Sequence, residues 1–295
     1  RVDSASLKTD SYRRSPLCRV LEQGESFRGD TGDPASTARF PFLSELAGQG
    51  IVEYIALPLG GGGAYHNAAT VATGRKTGFS EQEFALLRQV LRLFALHVER
   101  HIILRIAANV LDTYLGNAAG HKVLDGSIKR GDGEAIRAIV WMSDLRDFTH
   151  VSNLLTGPEV TALLNACFEP LVAAVFDHGG DVLKFIGDGL LAVFPLTGDR
   201  ADHHRVAEAA LVAAQQAHDA IQRLNTQPSA ALRAMTGWHP LRMGVALHEG
   251  TVFFGNVGAP DRLDFTVIGR TVNEASRVEA LCKTLGRDIL ITEPV

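Results

Sequence analysis

The stretch Ala135-Ile136-Arg137-Ala138-Ile139-Val140-Trp141-Met142-Ser143-Asp144-Leu145-Arg146-Asp147-Phe148-Thr149 decides the reading of this chain. Its first eight residues form an apolar, strand-like run, and the rest turn polar. Thr156, Pro158 and Glu159 then mark a helix start, with Pro in the first turn and Glu three residues after the cap. Val160, Leu163, Leu164, Cys167, Phe168, Leu171, Val172 and Val175 recur on one face of that helix, and Gly179-Gly180 ends it. Two short β-like runs follow, Asp181 to Ile186 and Leu190 to Phe194, joined through Gly187-Asp188-Gly189 as a hairpin. An Ala-rich helix is expected from about Asp202 to Leu224. Strands are expected at Leu241–Leu247, Thr251–Phe254 and Asp264–Ile268, and a last helix from about Thr271 to Leu285, stopped by Gly286. The order β-α-ββ-α-β-β-β-α describes an α+β domain, an antiparallel-rich sheet sandwiched by helices.

Upstream, residues 79 to about 117 read as one long helix. Ser80 and Glu83 have capping-box spacing, and no Pro or Gly interrupts Glu81 to Leu115. Its apolar stripe, Phe84, Leu87, Leu91, Phe94, Val98, Ile102 and Leu104, is close to a heptad seam and suits either a core face or a dimerising helix. Gly116 to Gly133 is Gly-rich and charged and reads as a linker. Before the helix, Ile51 to Leu59 and His66 to Thr73 are β-like and flank Gly60 to Gly63, which reads as a hairpin rather than a phosphate loop, because strand and not helix follows. Residues 1 to about 50 are polar and irregular with short apolar patches, a partly helical start. His66, and His97 with His101 at i, i+4 spacing, read as a helical face or interface before they read as ligands.

The chain has 295 residues, enough for two domains. With 46% hydrophobic and 21% charged residues it is neither disordered nor low-complexity. A net charge of −4 excludes the basic footprint of a nucleic-acid binder. Cys18, Cys167 and Cys282 form no C-x-x-C site and no even disulfide framework, which suits a reducing, cytoplasmic compartment. No uninterrupted apolar run reaches the ~18 residues of a spanning helix, so no membrane association is expected. The first residue is Arg1 and no signal-peptide pattern follows, which reads as a trimmed cytosolic piece.

The chemistry centres on two carboxylates at the ends of neighbouring β elements, Asp144 after the first strand and Asp188 in the hairpin tip. Carboxylates so carried can converge on hard divalent cations. Gly-Asp-Gly by itself is equally an ordinary turn. Three segments together resemble class III nucleotidyl cyclases: Ser143 to Thr149 the first metal motif, Lys184-Phe185-Ile186-Gly187-Asp188-Gly189 the second, and Asp264 to Arg277 the third. The resemblance covers about residues 122 to 295. It implies that Asp144 and Asp188 bind two ions per site, Mg²⁺ or Mn²⁺, with the Leu145 carbonyl helping. It implies that backbone N–H groups around Phe148 and Thr149 cradle phosphates, and that Lys184 and Thr266 read the purine. Asn273 and Arg277 would orient the ribose and stabilise charge on the α-phosphate. Adenine offers an acceptor at N1 and donors at N6, which match a Lys donor and a Thr acceptor, whereas guanine reverses that pattern. A site built for one pattern can discriminate by ~10⁴-fold, so ATP is expected over GTP. In this family the site is shared across a head-to-tail homodimer, the aspartates from one subunit and Lys184, Thr266, Asn273 and Arg277 from the other.

Two departures from the family pattern stand out. Asp147 occupies a position where the family usually has Gly. It either faces outward, adds a metal ligand or weakens the enzyme. The family's fold also continues past Val295 with an arm that carries a basic phosphate contact. The N-terminal part, about residues 40 to 100, resembles the end of a GAF-type sensor domain. The expected organisation is therefore a partial α/β GAF-like sensor at 1–79, a long helix and transducing linker at 80–133, and a cyclase domain at 134–295. The function this implies is an adenylate cyclase converting ATP to 3′,5′-cyclic AMP and pyrophosphate, regulated by an unknown small-molecule or protein signal. The alternative is a catalytically silent nucleotide-binding regulatory module. A guanylate cyclase would need a Glu-type residue at Lys184.

Overall fold

Strand pairing organises two separate sheets. The computed structural model describes residues 9–60, 67–198, 200–235 and 238–295. The chain divides into two units, Arg1–Ala107 and Ala108–Val295. In the first, α1 (Asp10–Arg13) and α2 (Pro16–Gln23) precede β1 (Phe27–Asp30), α3 (Pro34–Arg39), α4 (Phe42–Gly48), β2 (Glu53–Pro58) and β3 (Ala68–Thr73). The strands form an antiparallel sheet in the order β1-β2-β3. Val20, Phe40, Leu43, Tyr54 and Ala56 form its core. The expected pairing of the two β-like runs is present, from Glu53↔Thr73 to Pro58↔Ala68. Gly61 to His66, including most of the expected hairpin tip, lie outside the described residues. Strand β1 went unread because Phe27-Arg28-Gly29-Asp30 has neither alternation nor β-branched residues. It is held by Arg28, whose guanidinium bonds Glu53, Glu81 and the Phe79 carbonyl.

Helix α5 (Glu81–Leu115) starts at the expected capping box, with Ser80 N–H donating to Glu83 (2.8 Å) and Glu83 N–H to Ser80 Oγ (3.2 Å). Phe84, Leu87, Leu91, Val98 and Ile102 of the expected stripe are half-buried. Phe94 and Leu104 instead face water, as do Leu86, Val90, Leu93, Ile103 and Val110. A heptad drifts by about 20° against a straight α-helix, so one stripe does not stay on one face over this length.

The second unit continues with α6 (Asn117–Leu124), β4 (Gly133–Arg146), α7 (Phe148–Ser152), α8 (Gly157–Asp177), β5 (Asp181–Ile186), β6 (Gly189–Pro195), α9 (Arg200–Thr226), α10 (Ala230–Arg233), β7 (Arg242–Ala259), β8 (Arg262–Ile268), α11 (Arg270–Leu285) and β9 (Ile289–Ile291). The sheet runs β5-β6-β4-β7-β8, antiparallel throughout, and β9 adds parallel to β7. Alternation along β4 divides the core in two. Ile139 and Trp141 meet Leu163, Cys167 and Leu171 of α8 and Ala210, Ala213 and Ala217 of α9. Ala138 and Val140 face the other way, towards Ala119 of α6 and Ala275 of α11. The expected α+β sandwich is the observed fold.

Two expectations need correction. The segment 116–133, read as linker, holds α6, whose first turn is anchored by Asp181 accepting the Ala118 N–H at 3.3 Å. The two strands expected at 241–254 are one strand, β7, because Gly250 pairs directly with Ala138 and makes no turn. By length and composition α8 could cross a membrane, although no single apolar run in the sequence suggested it. Its buried side is spent on the core, while Asn165 and Glu169 face water. Leu163 is fully buried there, so Leu163→Ala is expected to cost about 2–5 kcal/mol. Urea unfolding followed by tryptophan fluorescence checks this, since Trp141 lies in the same core.

Candidate active site

The pleat of β4 sorts its last residues by face. Ser143 and Leu145 are buried, whereas Asp144 emerges on the side where α11 packs. Asp144 pairs with Gly244 of β7. A Cβ at Gly244 would stand 3.2 Å from Cys282 Cβ and would displace the Glu279 carboxylate, so glycine permits the close approach of α11 beside Asp144. On the other flank, a Cβ at Gly189 would stand 2.5 Å from the Ser143 carbonyl and 3.1 Å from Asp144 Oδ1. That bare backbone allows the β5–β6 turn to carry Asp188 up to Asp144. The result is a cleft of about 700 Å³ lined by Asp144, Leu145, Asp147, Phe148, Thr149 and Asp188, with Glu279 and Lys283 from α11.

Carboxylates outnumber cations in the cleft. Water reaches Asp144 from the open side, yet the walls withdraw enough of it to push the carboxyl up to about 7, helped by the charges of Asp188 and Glu279. Desolvation also raises Asp188. Burial raises Glu279, opposed by the Arg146 guanidinium. The Arg146 terminal nitrogen bonds the Arg287 carbonyl and Asp288 (3.3 Å), while its buried Nε has no hydrogen-bond partner. Carboxylates crowded without a cation are the donor set a hard divalent ion prefers. Among the described residues no three His, Cys, Asp or Glu side chains converge as a cage. The two aspartates, with the Leu145 N–H donating to both carboxylates, are a donor set that fits a hard divalent ion.

Asp147 has a φ of 60°, the left-handed region, and is the one non-glycine residue among those described to do so. The backbone there explains why glycine suits the position, and Asp is among the few residues that tolerate it. Its side chain faces water and accepts from Lys283 Nζ at 2.9 Å, which holds the carboxyl below its usual range. The side chain is thus both solvent-exposed and part of the cleft lining.

The remaining expected residues lie elsewhere. Lys184 bonds Asp264, and both line a separate groove of about 380 Å³ with Phe185 and Phe265. Thr266, two residues along β8, is 6% exposed, and its Oγ1 has no hydrogen-bond partner. Asn273 and Arg277 are exposed on α11. At 100° per residue their mean direction on the helix is about 120° from that of Glu279 and Lys283, and neither lines the Asp144 cleft. One chain thus gathers Asp144, Leu145, Asp188, Phe148 and Thr149 at one place, and carries Lys184, Thr266, Asn273 and Arg277 outside it. Glu279, Lys283 and Asp264 were not picked out from the sequence. The i, i+4 spacing of Glu279 and Lys283 was the available signal, and it looks like any helical surface pair. His97 and His101 are exposed on α5.

Residues 135–295 match the family model of the adenylate and guanylate cyclase catalytic domain. The chain belongs to this family. An adenylate cyclase of Anabaena cylindrica is 34% identical over 169 residues, which cover 57% of this chain and 32% of that protein. Adenylate cyclase 1 of Rhizobium meliloti (strain 1021) is 32% identical over 153 residues, 52% of this chain and 22% of that protein. This cyclase-family chain thus spans about a third or less of these curated relatives. A solved bacterial light-regulated adenylyl cyclase shares the fold, with a TM-score of 0.54 at 22% identity over 78% of this chain and 67% of that one.

The raised carboxyl of Asp144 carries a pH signature. Its folded pKa lies above the ordinary carboxylate value of ~3.9, so its contribution is favourable at acid pH and is lost as pH rises through about 7. In metal-free buffer the melting temperature is expected to fall between about pH 4 and 7 and to level off above. Asp188→Asn removes a like charge and should flatten that fall, as read from thermal melts in chelator across the range.

Proposed function

We propose that this chain is an adenylate cyclase that converts ATP to 3′,5′-cyclic AMP and pyrophosphate as a head-to-tail homodimer. The observation that carries the reading is that Asp144, Leu145, Phe148, Thr149 and Asp188 line one cleft, whereas Lys184, Thr266, Asn273 and Arg277 lie outside it. A second copy supplies what each group lacks. The named relatives from Anabaena cylindrica and Rhizobium meliloti support the same substrate class.

On this reading Asp144, Asp188 and the Leu145 carbonyl hold Mg²⁺ or Mn²⁺, with room for two ions. Such an ion supplies charge neutralisation of the triphosphate and a lowered pKa for the ribose 3′-hydroxyl. Phe148 and Thr149 form the wall along which the phosphates lie. Lys184 donates to adenine N1, and the unpartnered Thr266 Oγ1 accepts from N6. An unsatisfied buried hydroxyl is costly, which supports a ligand group as its partner. The Asp264 carboxylate keeps the Lys184 ammonium on the purine side of the groove. Asn273 orients the ribose, and the Arg277 guanidinium meets charge on the α-phosphate as the 3′-oxygen attacks and pyrophosphate leaves. The N-terminal unit acts as the sensor and α5 relays its state. The location that suits this chemistry is the cytoplasm. The charged Asp147 near the phosphates favours one rival, a silent module that binds ATP without turnover.

Cyclic nucleotide formation from ATP and GTP with Mn²⁺ tests the reading. ATP turnover is expected to exceed GTP turnover and to fall at least ~100-fold in Asp188→Ala. Lys184→Glu should erode the preference for ATP. ATP binding without product in the unmodified protein would establish the silent module instead.

A further inference from the structure

The cleft around Asp144 poses a charge problem that the assigned residues do not solve. Four carboxylates, Asp144, Asp147, Asp188 and Glu279, line it. Of the Lys and Arg side chains among its described lining residues, Arg146 is 7% exposed, and its terminal nitrogen already bonds Arg287 and Asp288. Lys283 is different. Its side chain is 73% exposed, it sits on α11 facing the strand-to-helix turn, and Asp147 takes a single bond from it at 2.9 Å. An ammonium has three donors, so two remain directed to water at the cleft mouth.

We propose that Lys283 is a triphosphate-binding residue supplied by the same chain as Asp144 and Asp188, and that Asp147 positions it. The inference rests on the cyclase reading of this cleft. The left-handed backbone of Asp147 sets its carboxylate outward, where it catches Lys283 at the turn carrying Phe148 and Thr149. The pair cancels the charge that Asp147 brings to a place where a glycine would bring none. The spare donors of Lys283 then meet phosphate oxygens through charge-assisted hydrogen bonds while its bond to Asp147 persists. Loss of Lys283 removes those bonds and also leaves Asp147 uncompensated, so the two residues are coupled.

The test is calorimetric binding of pyrophosphate to the chain in the presence of Mn²⁺, beside ATP turnover measured separately. Lys283→Met is expected to weaken pyrophosphate binding about tenfold, and Lys283→Arg to keep it within about threefold. In an Asp147→Asn background the cost of Lys283→Met should drop to about threefold, because no bare carboxylate remains. Lys283 is exposed, and unchanged circular dichroism and melting temperature would show that folding is intact. Binding that changes less than twofold in Lys283→Met overturns the proposal, as does absence of pyrophosphate binding in the unmodified chain. Cyclic AMP formation with no Lys283 dependence would leave the cyclase reading standing and remove only this residue. Lys283-dependent binding without turnover would support this residue and count against the enzyme.

Discussion

The antiparallel ladder between β4 and β7 is the constraint on which the second unit depends. It runs unbroken from Gly133↔Gly255 to Arg146↔Arg242 and sets which side of the sheet each residue of both strands faces. A slip of one residue would turn Asp144 into the α8 core and bring Ser143 or Leu145 to α11. With the register as it is, Asp144 lies opposite Gly244, and the missing side chain there sets the approach of α11. The same ladder leaves β6 on the far side of β4, so that the β5–β6 turn delivers Asp188 to the same edge.

Helix α11 then serves two clients. Asn273 and Arg277 are exposed outside the Asp144 cleft, while Glu279 and Lys283 line it. An α-helix can do this because residues four apart share a face and residues two apart do not. The electrostatics follow the same logic. Carboxylates accumulate at the metal end, where desolvation raises their pKa, and cations are placed at the margins in Lys283 and across the groove in Lys184.

Much of this was legible in residue order. The Thr156–Glu159 capping box, the one-sided apolar pattern of α8 and the Gly187-Asp188 turn are local signals, decided by backbone geometry within a few residues. So was α5, whose start at Ser80 and Glu83 needs only its own first turn. The errors came where a distant partner overrides local character. Gly250 looks like a break and is held in the ladder by Ala138. Asn117 to Leu124 looks like linker and is helical, anchored by Asp181 and packed on the sheet through Ala119. Phe27 to Asp30 carries no strand signal and pairs because β2 offers it an edge.

By itself the sequence determined the fold class and the identity of the chemical groups: aspartates suited to hard cations, a Lys and Thr suited to adenine, and an Asn and Arg one helical turn apart. These are properties of side chains and short spacings, which need no partner to be stated. Only the tertiary structure decided which of them meet. Asp144 and Asp188 converge because two glycines let backbone pass where a side chain would stand. Lys184 finds Asp264 across 80 residues of chain, and Asp147 finds Lys283 across 136. Such contacts are set by sheet register and helix packing, long-range constraints that no local pattern encodes.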